Sequence, residues 1–315
     1  MIKPRVVITG VAGFIGSNLA DFLINRGYQV VGLDNLAYGM ESQIPVAVEF
    51  HKIDITDIKI VNYIQPRDVI FHLAAKNCIN DCQQDPVDTA FNNVYGSVCL
   101  FEAAVKKQAK KVIYAESSAL YEGSTLLPTP EAEVKPESFY SVSKYSEMMF
   151  AKAYAKHYGL CTTALRYFCV YGPRQDYRRT IPPVMSAFII KLLRKEKPII
   201  YGTGNRRRDF IHVDDVNEFH LQCIDNEKTN GEVYNLGSGE NYSVKEIYQA
   251  IAKKLNSQTQ PEYKPALPGE AEITLADITK AKSLGWQPNT SLEQGLQGLI
   301  NYYQETGIPW KISMS

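Results

Sequence analysis

Six short runs set the fold: "RVVITG", "YQVVGLD", "VEFHKID", "DVIFHLAA", "KKVIYAESS" and "TTALRYFCVYG" recur through the first half of the chain. Rich in Val and Ile, they read as strands covered on both faces. Between several of them lie stretches with helical periodicity, at 14–26, 87–108 and 140–158. Parallel strands need a crossover, and a helix packed on the sheet supplies it. The alternation therefore predicts an α/β chain built on a doubly wound parallel sheet.

After about residue 172 the rhythm changes. "GPRQDYRRTIPP" is a polar loop with prolines, followed by a predicted helix at 184–195. Ser243 with Glu246 and Ser291 with Gln294 have capping-box spacing and open two later helices, the first at 243–255. The expected organisation is a first domain over 1–171, with a returning segment at about 203–236. A smaller mixed α/β substrate domain takes 172–202 and 237–315.

"ITGVAGFIGSNL" places Gly10, Gly13 and Gly16 directly after the first strand and at the mouth of a helix. Glycines there let the backbone turn tightly and approach a pyrophosphate, which the helix N-terminus stabilises. Phe14 and Ile15 lie within the same turn. This strand–glycine–helix order is the Rossmann-type signature, in the GxxGxxG spacing. The second strand ends at Asp34, where a carboxylate can accept hydrogen bonds from the adenosine ribose and repel a 2′-phosphate. No arginine follows immediately, so the cofactor expected is NAD, with Asn35 beside the ribose. Asp54, with Ile55 after it, is placed to meet the adenine edge.

Composition narrows the classes. Lys plus Arg and Asp plus Glu both number 34, so no basic block offers a nucleic-acid footprint. No apolar run approaches the roughly 20 residues that span a bilayer. With a strand beginning at Arg5, no cleavable signal is expected. The six cysteines, Cys78, Cys82, Cys99, Cys161, Cys169 and Cys223, form no CxxC pair and no Cys/His metal spacing. A reduced, cytoplasmic, metal-free protein is expected.

In "FYSVSKYSEMMF", Tyr140 and Lys144 are four apart and share a helical face. An ammonium near a phenol favours the phenolate, which can take a proton from an alcohol. With twenty tyrosines in the chain such a spacing also arises by chance. The context decides. The fifth strand delivers hydroxyls at its carboxyl end, where doubly wound sheets build their sites, and the pair follows on the next helix.

Here the chain resembles the extended short-chain dehydrogenase/reductase family, in its nucleotide-sugar epimerase branch. The resemblance runs from Arg5 to about Tyr303 through "TGVAGFIGSNL", "HLAA", "NNVYGS", "YSVSK", "LRYF", "YGPRQ" and "RDFIHVDD". It implies a catalytic Tyr140, Lys144 and Ser117. Tyr140 would be the base, Lys144 would lower its pKa and hold the nicotinamide ribose, and Ser117 would bond the reacting oxygen. It also implies that Leu73, Ala74, Ala75 and Asn93 line the cofactor and that Tyr167 lies by the nicotinamide.

Relatives that eliminate water or decarboxylate carry an acid two residues before the tyrosine corresponding to Tyr121, and others place a cysteine there. This chain has Ala119, preceded by Ser118. A methyl group moves no proton, so reversible hydride transfer remains, which is 4-epimerisation. By resemblance Arg208 binds the UDP-sugar diphosphate, and Thr274 stands where a residue gates the sugar pocket. A small residue there admits UDP-N-acetylhexosamines and leaves UDP-glucose and UDP-galactose acceptable. Asn77, Cys78, Ser117, Ser118 and Tyr140 complete the sugar side. The usual diphosphate asparagine is Cys169 and the usual late arginine is Leu267, with Arg174 or Arg179 as candidate replacements. Glu116 occupies a position that is usually small. A reductase, a dehydrogenase, a uronate 4-epimerase and a non-catalytic dinucleotide sensor are the alternatives. Helices 87–108 and 140–158 are expected to pair with a second copy in a homodimer.

Overall fold

The VVIT run is wholly buried as β1 (Val6–Thr9), and its β-branched side chains suit a pleated, two-sided environment. In the computed structural model, which describes residues 3–179, 181–266 and 271–307, β1 lies within a seven-stranded sheet. Parallel pairings join β1 to β2 (Val30–Asp34) and to β4 (Val69–His72), and β2 to β3 (Glu49–Lys52). They also join β4 to β5 (Lys111–Ser117) and β5 to β6 (Thr162–Tyr167). With β10 (Val233–Leu236) beyond β6, the order is β10-β6-β5-β4-β1-β2-β3. Successive connections leave β1 toward opposite edges, so the doubly wound sheet opens a crevice at the carboxyl ends of β1 and β4.

This sheet belongs to the first of two units, formed by residues up to Thr125, Glu131–Tyr167 and Asn217–Asn235. The second unit comprises Leu126–Pro130, Phe168–Val216 and residues from Leu236 on. The segment 203–216 thus stands apart from the first domain expected for it. Its strand β9 (Arg207–His212) pairs between β7 (Cys169–Tyr171) and β11 (Asn241–Ser243) in a separate three-stranded sheet. β8 (Ile199–Tyr201) pairs with β12 (Glu262–Lys264).

Helices α1 (Phe14–Ile24), α2 (Ile79–Gln84), α3 (Pro86–Thr89), α4 (Gly96–Lys106) and α5 (Phe139–Tyr158) belong to the first unit. Helix α5 opens with a box in which Ser138 Oγ accepts from Ser141 N, and it closes on Gly159 at φ 69°. That left-handed cap costs glycine nothing sterically. Helix α7 (Val213–Asp225) carries the chain from the second unit back to the first. The second unit also contains α6 (Val184–Leu193), α8 (Val244–Lys254), α9 (Thr279–Lys282) and α10 (Leu292–Glu305). α8 and α10 start with the expected boxes at Ser243/Glu246 and Ser291/Gln294. Their apolar faces share a core with α6 and β9 through Phe188, Ile247, Leu296 and Phe210.

Three expectations change. β3 is an edge strand, exposed at Glu49 and Lys52, because only β2 flanks it. "TTALRYFCVYG" is two strands in different sheets, broken at Phe168. The helix expected at 87–108 is interrupted by a π-helical turn at Ala90–Tyr95 between α3 and α4. No described helix is long and apolar enough to cross a membrane.

Candidate active site

At the carboxyl end of β1, Gly10 turns at φ 74°, and its N–H donates to Leu33 O at 2.8 Å. A Cβ on Gly10 would stand 2.8 Å from Ala74 N, and one on Gly16 would stand 2.2 Å from Gly10 O. Such approaches exclude side chains, so the loop lies flat against the Leu73–Ala74 backbone. Gly13 is the N-cap of α1 and offers no side chain to its first amides. Those donors, with Phe14 and Ile15 in the first turn, are free to face an anion.

Asp34 ends β2, its Oδ2 accepting from Ala12 N at 3.0 Å and its Oδ1 from Leu36 N at 2.7 Å. Burial pushes this carboxyl up, and the two backbone donors counter only part of that. Asn35 Nδ2 donates to Asp54 Oδ2 at 2.6 Å, while Thr56 donates twice to Oδ1. Burial also pushes Asp54 up, but here the donors outweigh it and its pKa falls below the usual carboxylate value. Ile55 packs into the sheet's core. Asn93, in the π-helical turn, pins the exit of β4: its Oδ1 accepts from Lys76 N, and its Nδ2 donates to Lys76 O and Ser143 Oγ.

Ser117 is the last residue of β5, and Tyr167 lies directly across from it on β6. Ser117 Oγ accepts from Ala119 N at 3.1 Å and lies near enough to the Tyr140 hydroxyl to lower its pKa. The structure therefore brings Ser117, Tyr140 and Lys144 into one cluster. Burial dominates the phenol and raises its pKa, whereas Lys144 and Ser117 lower it and Glu147 and Cys82 raise it. The expectation that Lys144 favours the phenolate holds for its own contribution, but the sum points the other way. Tyr167 directs its hydroxyl into the core, 2.6 Å from His220 Nε2.

Glu116 and Glu147 lie beside this cluster, and the sequence does not reveal their roles. Glu116 Oε2 accepts from Arg166 Nε at 2.5 Å, and Arg166 Nη1 also donates to Tyr121 Oη and Glu131 O. This pair stiffens the β5–β6 seam one residue before Ser117. Glu147 Oε2 accepts from Lys144 Nζ at 2.7 Å, and both residues are buried. The K-x-x-E spacing signals that contact, but not its burial. Glu122 Oε2 accepts from Ser138 N and Ser141 Oγ, tying the chain just past Ser117 to the start of α5. The carboxylates flanking Ala119 are thus committed to other partners.

In the first unit Asn77 is exposed, Cys78 is the N-cap of α2, and Ser118 begins the turn after Ser117. In the second unit Arg208 and Thr274 are neighbours, since Thr274 N donates to Arg207 O and Thr274 Oγ1 accepts from Asp209 N. Arg206 and Arg207 are committed to Glu272 and Glu246. Arg174 sits at φ 67° beside Tyr302, Arg179 pairs with Asp176, and Cys169 packs on the unit's apolar core. Leu267 lies outside the described residues. All six cysteines are free thiols, and no three metal-ligating side chains converge among the described residues.

Sheet order and glycine cradle together define a dinucleotide-binding protein of Rossmann type. Residues 6–237 match the NAD dependent epimerase/dehydratase family, and the chain belongs to that family. It is 33% identical over 310 residues to the UDP-glucose 4-epimerase of Mycolicibacterium smegmatis, covering 95% of this chain and 98% of the relative. The Thermotoga maritima UDP-glucose 4-epimerase, solved with UDP-glucose, superposes with a TM-score of 0.92 at 36% identity, covering 96% and 99% of the two chains. The UDP-N-acetylglucosamine 4-epimerase of Methanobrevibacter ruminantium, solved with UDP-N-acetylmuramic acid, gives 0.93 at 31% identity, covering 98% and 100%. The protein is an NAD-dependent isomerase of this class.

Proposed function

We propose that the protein interconverts 4-epimers of a UDP-hexose, preferring UDP-N-acetylglucosamine/UDP-N-acetylgalactosamine and also accepting UDP-glucose/UDP-galactose. One observation carries the reading: Ser117, Tyr140 and Lys144 cluster beside Ala119, and the neighbouring carboxylates are bonded elsewhere. Proton removal at a second sugar carbon therefore has no acid–base partner there.

Gly10, Gly13, Phe14, Ile15 and Gly16 would hold the cofactor diphosphate, and Asp34 and Asn35 its adenosine ribose. Asp54 and Ile55 would flank the adenine; Leu73, Ala74, Ala75, Asn93, Lys144 and Tyr167 would line the remainder. When bound, NAD would supply a hydride acceptor and, in its oxidised form, a positive charge that favours the ionised phenol. Tyr140 takes the proton of the C4 hydroxyl and later returns it, while Ser117 bonds that oxygen in both directions. Lys144 favours the ionised phenol against the opposing effect of burial. The 4-keto sugar presents its other face before it is reduced.

Arg208 would hold the substrate diphosphate, since a guanidinium fork suits two phosphates. Arg174 is the candidate for the charge missing at Leu267. Asn77, Cys78, Ser118 and Cys169 would shape the sugar pocket, with Thr274 leaving room for an N-acetyl group. The Methanobrevibacter enzyme supports the N-acetylated substrate and the Thermotoga enzyme the unmodified hexose. Phe91, Tyr95, Phe139, Val142, Met149 and Phe150 are exposed on the helices predicted to pair, which supports a homodimer.

The test is an NMR assay of epimer interconversion with UDP-N-acetylglucosamine, UDP-glucose and UDP-glucuronate offered separately. Product is expected from the first two. Tyr140→Phe is expected to lose roughly 10²–10⁴-fold in kcat. Turnover of UDP-glucuronate alone would overturn the substrate assignment, and an active Tyr140→Phe variant would overturn the mechanism.

A further inference from the structure

We propose that Glu147 is a positioning residue of the reaction, holding the Lys144 ammonium in place and setting the pH range in which Tyr140 exchanges its proton. The proposal rests on the reading of Tyr140 as the base. Glu147 follows Lys144 by one turn of α5 and is completely buried. Its Oε2 accepts a hydrogen bond from Lys144 Nζ at 2.7 Å, whereas its Oε1 is buried without a hydrogen-bond partner. His72 Nε2 lies 3.6 Å from Oε1. His72 in turn shares hydrogen bonds with Ser97 Oγ at 2.9 Å and with Thr9 Oγ1 at 2.7 Å. Thr9 Oγ1 also accepts from Leu73 N and Ala74 N and directly precedes Gly10. A buried polar chain thus runs from the glycine loop through His72 and Glu147 to Lys144.

A carboxylate left half-satisfied in a closed core is retained against a solvation cost, and the lysine is the group that benefits. Every charged neighbour enters the balance. Lys144 and Tyr140 face Glu147 from α5, His72 from β4, and Glu116 and Tyr114 from β5. Cys82 of α2 and Ser117 of β5 face Tyr140, and Glu116 is itself paired with Arg166. Against this background Glu147 favours the charged lysine and the protonated phenol, so both groups hold their protons to higher pH. Removing its charge while keeping its shape must move both ends of the active range toward acid.

The experiment uses the NAD-loaded enzyme and the Glu147→Gln variant. Tyrosinate ultraviolet absorbance, with Tyr140→Phe subtracted, follows Tyr140 directly, and kcat/KM is measured across the same pH range. Glu147→Gln is expected to shift the Tyr140 midpoint and both limbs of the profile about one unit toward acid. Glu147→Asp, which keeps the charge, is expected to retain the wild-type midpoint and lose about tenfold in kcat through misplacement of the lysine. An unmoved or alkaline-shifted midpoint in Glu147→Gln overturns the proposal. Should that variant not fold, a Glu147→Asp enzyme with wild-type kcat overturns it instead. A Tyr140→Phe enzyme that keeps its turnover refutes the base assignment separately.

Discussion

Glu116 and Arg166 are 2% and 1% exposed, so the pair sits in a medium where a lone charge is costly. Glu116→Ala would leave the guanidinium, among the described residues, with the Tyr121 hydroxyl and the Glu131 carbonyl as its oxygen partners. Breaking one side of such a pair costs about 3–5 kcal/mol, and Arg166→Met should cost as much by stranding Glu116. Replacing both, as Glu116→Leu/Arg166→Met, removes both desolvation costs together. What remains is the Glu131 carbonyl without its donor and the buried Tyr114 hydroxyl without the Glu116 Oε1 acceptor it has at 3.2 Å, while the Tyr121 hydroxyl still donates to Asn235 Oδ1 at 2.6 Å. The double variant should therefore lose only about 2 kcal/mol. Urea denaturation followed by far-ultraviolet circular dichroism gives the three values by linear extrapolation. A double variant at least as unstable as either single would refute the argument, because it would mean that neither charge depends on the other. Ser117 is the next residue along β5, so kcat is expected to fall in both single variants and recover in part in the double.

Three further outcomes are expected. Burial holds His72 and His220 down to about 3, against 6.5 when unfolded, so between those values the unfolded chain binds protons that the folded one does not. Stability contributed by these histidines is complete above pH 6.5 and falls by about 1.4 kcal/mol per histidine per unit on acidification, and equal urea midpoints at pH 7 and pH 5 would refute this. Gly16→Ala, whose Cβ would stand 2.2 Å from Gly10 O, is expected to purify without NAD, as cofactor absorbance would report. Phe150→Asp places a charge on the exposed helix face and is expected to halve the mass measured by sedimentation; a wild-type monomer would dismiss the dimer.

Much of this was readable in advance, for definite physical reasons. β1, β2 and β4 announce themselves because parallel strands covered on both faces must be continuously apolar. The Tyr140–Lys144 spacing is legible because a helix fixes which residues share a face. Burial of a charge is different. Glu116 depends on Arg166, fifty positions away, and no local pattern announces that meeting. The direction of the Tyr140 shift was hidden for the same reason, since burial outweighs the neighbouring lysine only once the surrounding elements have closed over it. The break at Phe168 is not legible because extended sequence does not tell which sheet it joins.

The placement of β10 bears on how the protein is made. β6 ends at Tyr167, but the strand that covers its outer side begins only at Val233. A ribosome that has released the chain through Tyr167 has delivered six strands with one flank still open to unwanted pairing. Closing that flank waits for the whole β7–β9 region and α7 to emerge, so truncations ending anywhere in that interval should aggregate rather than yield a free cofactor-binding fragment.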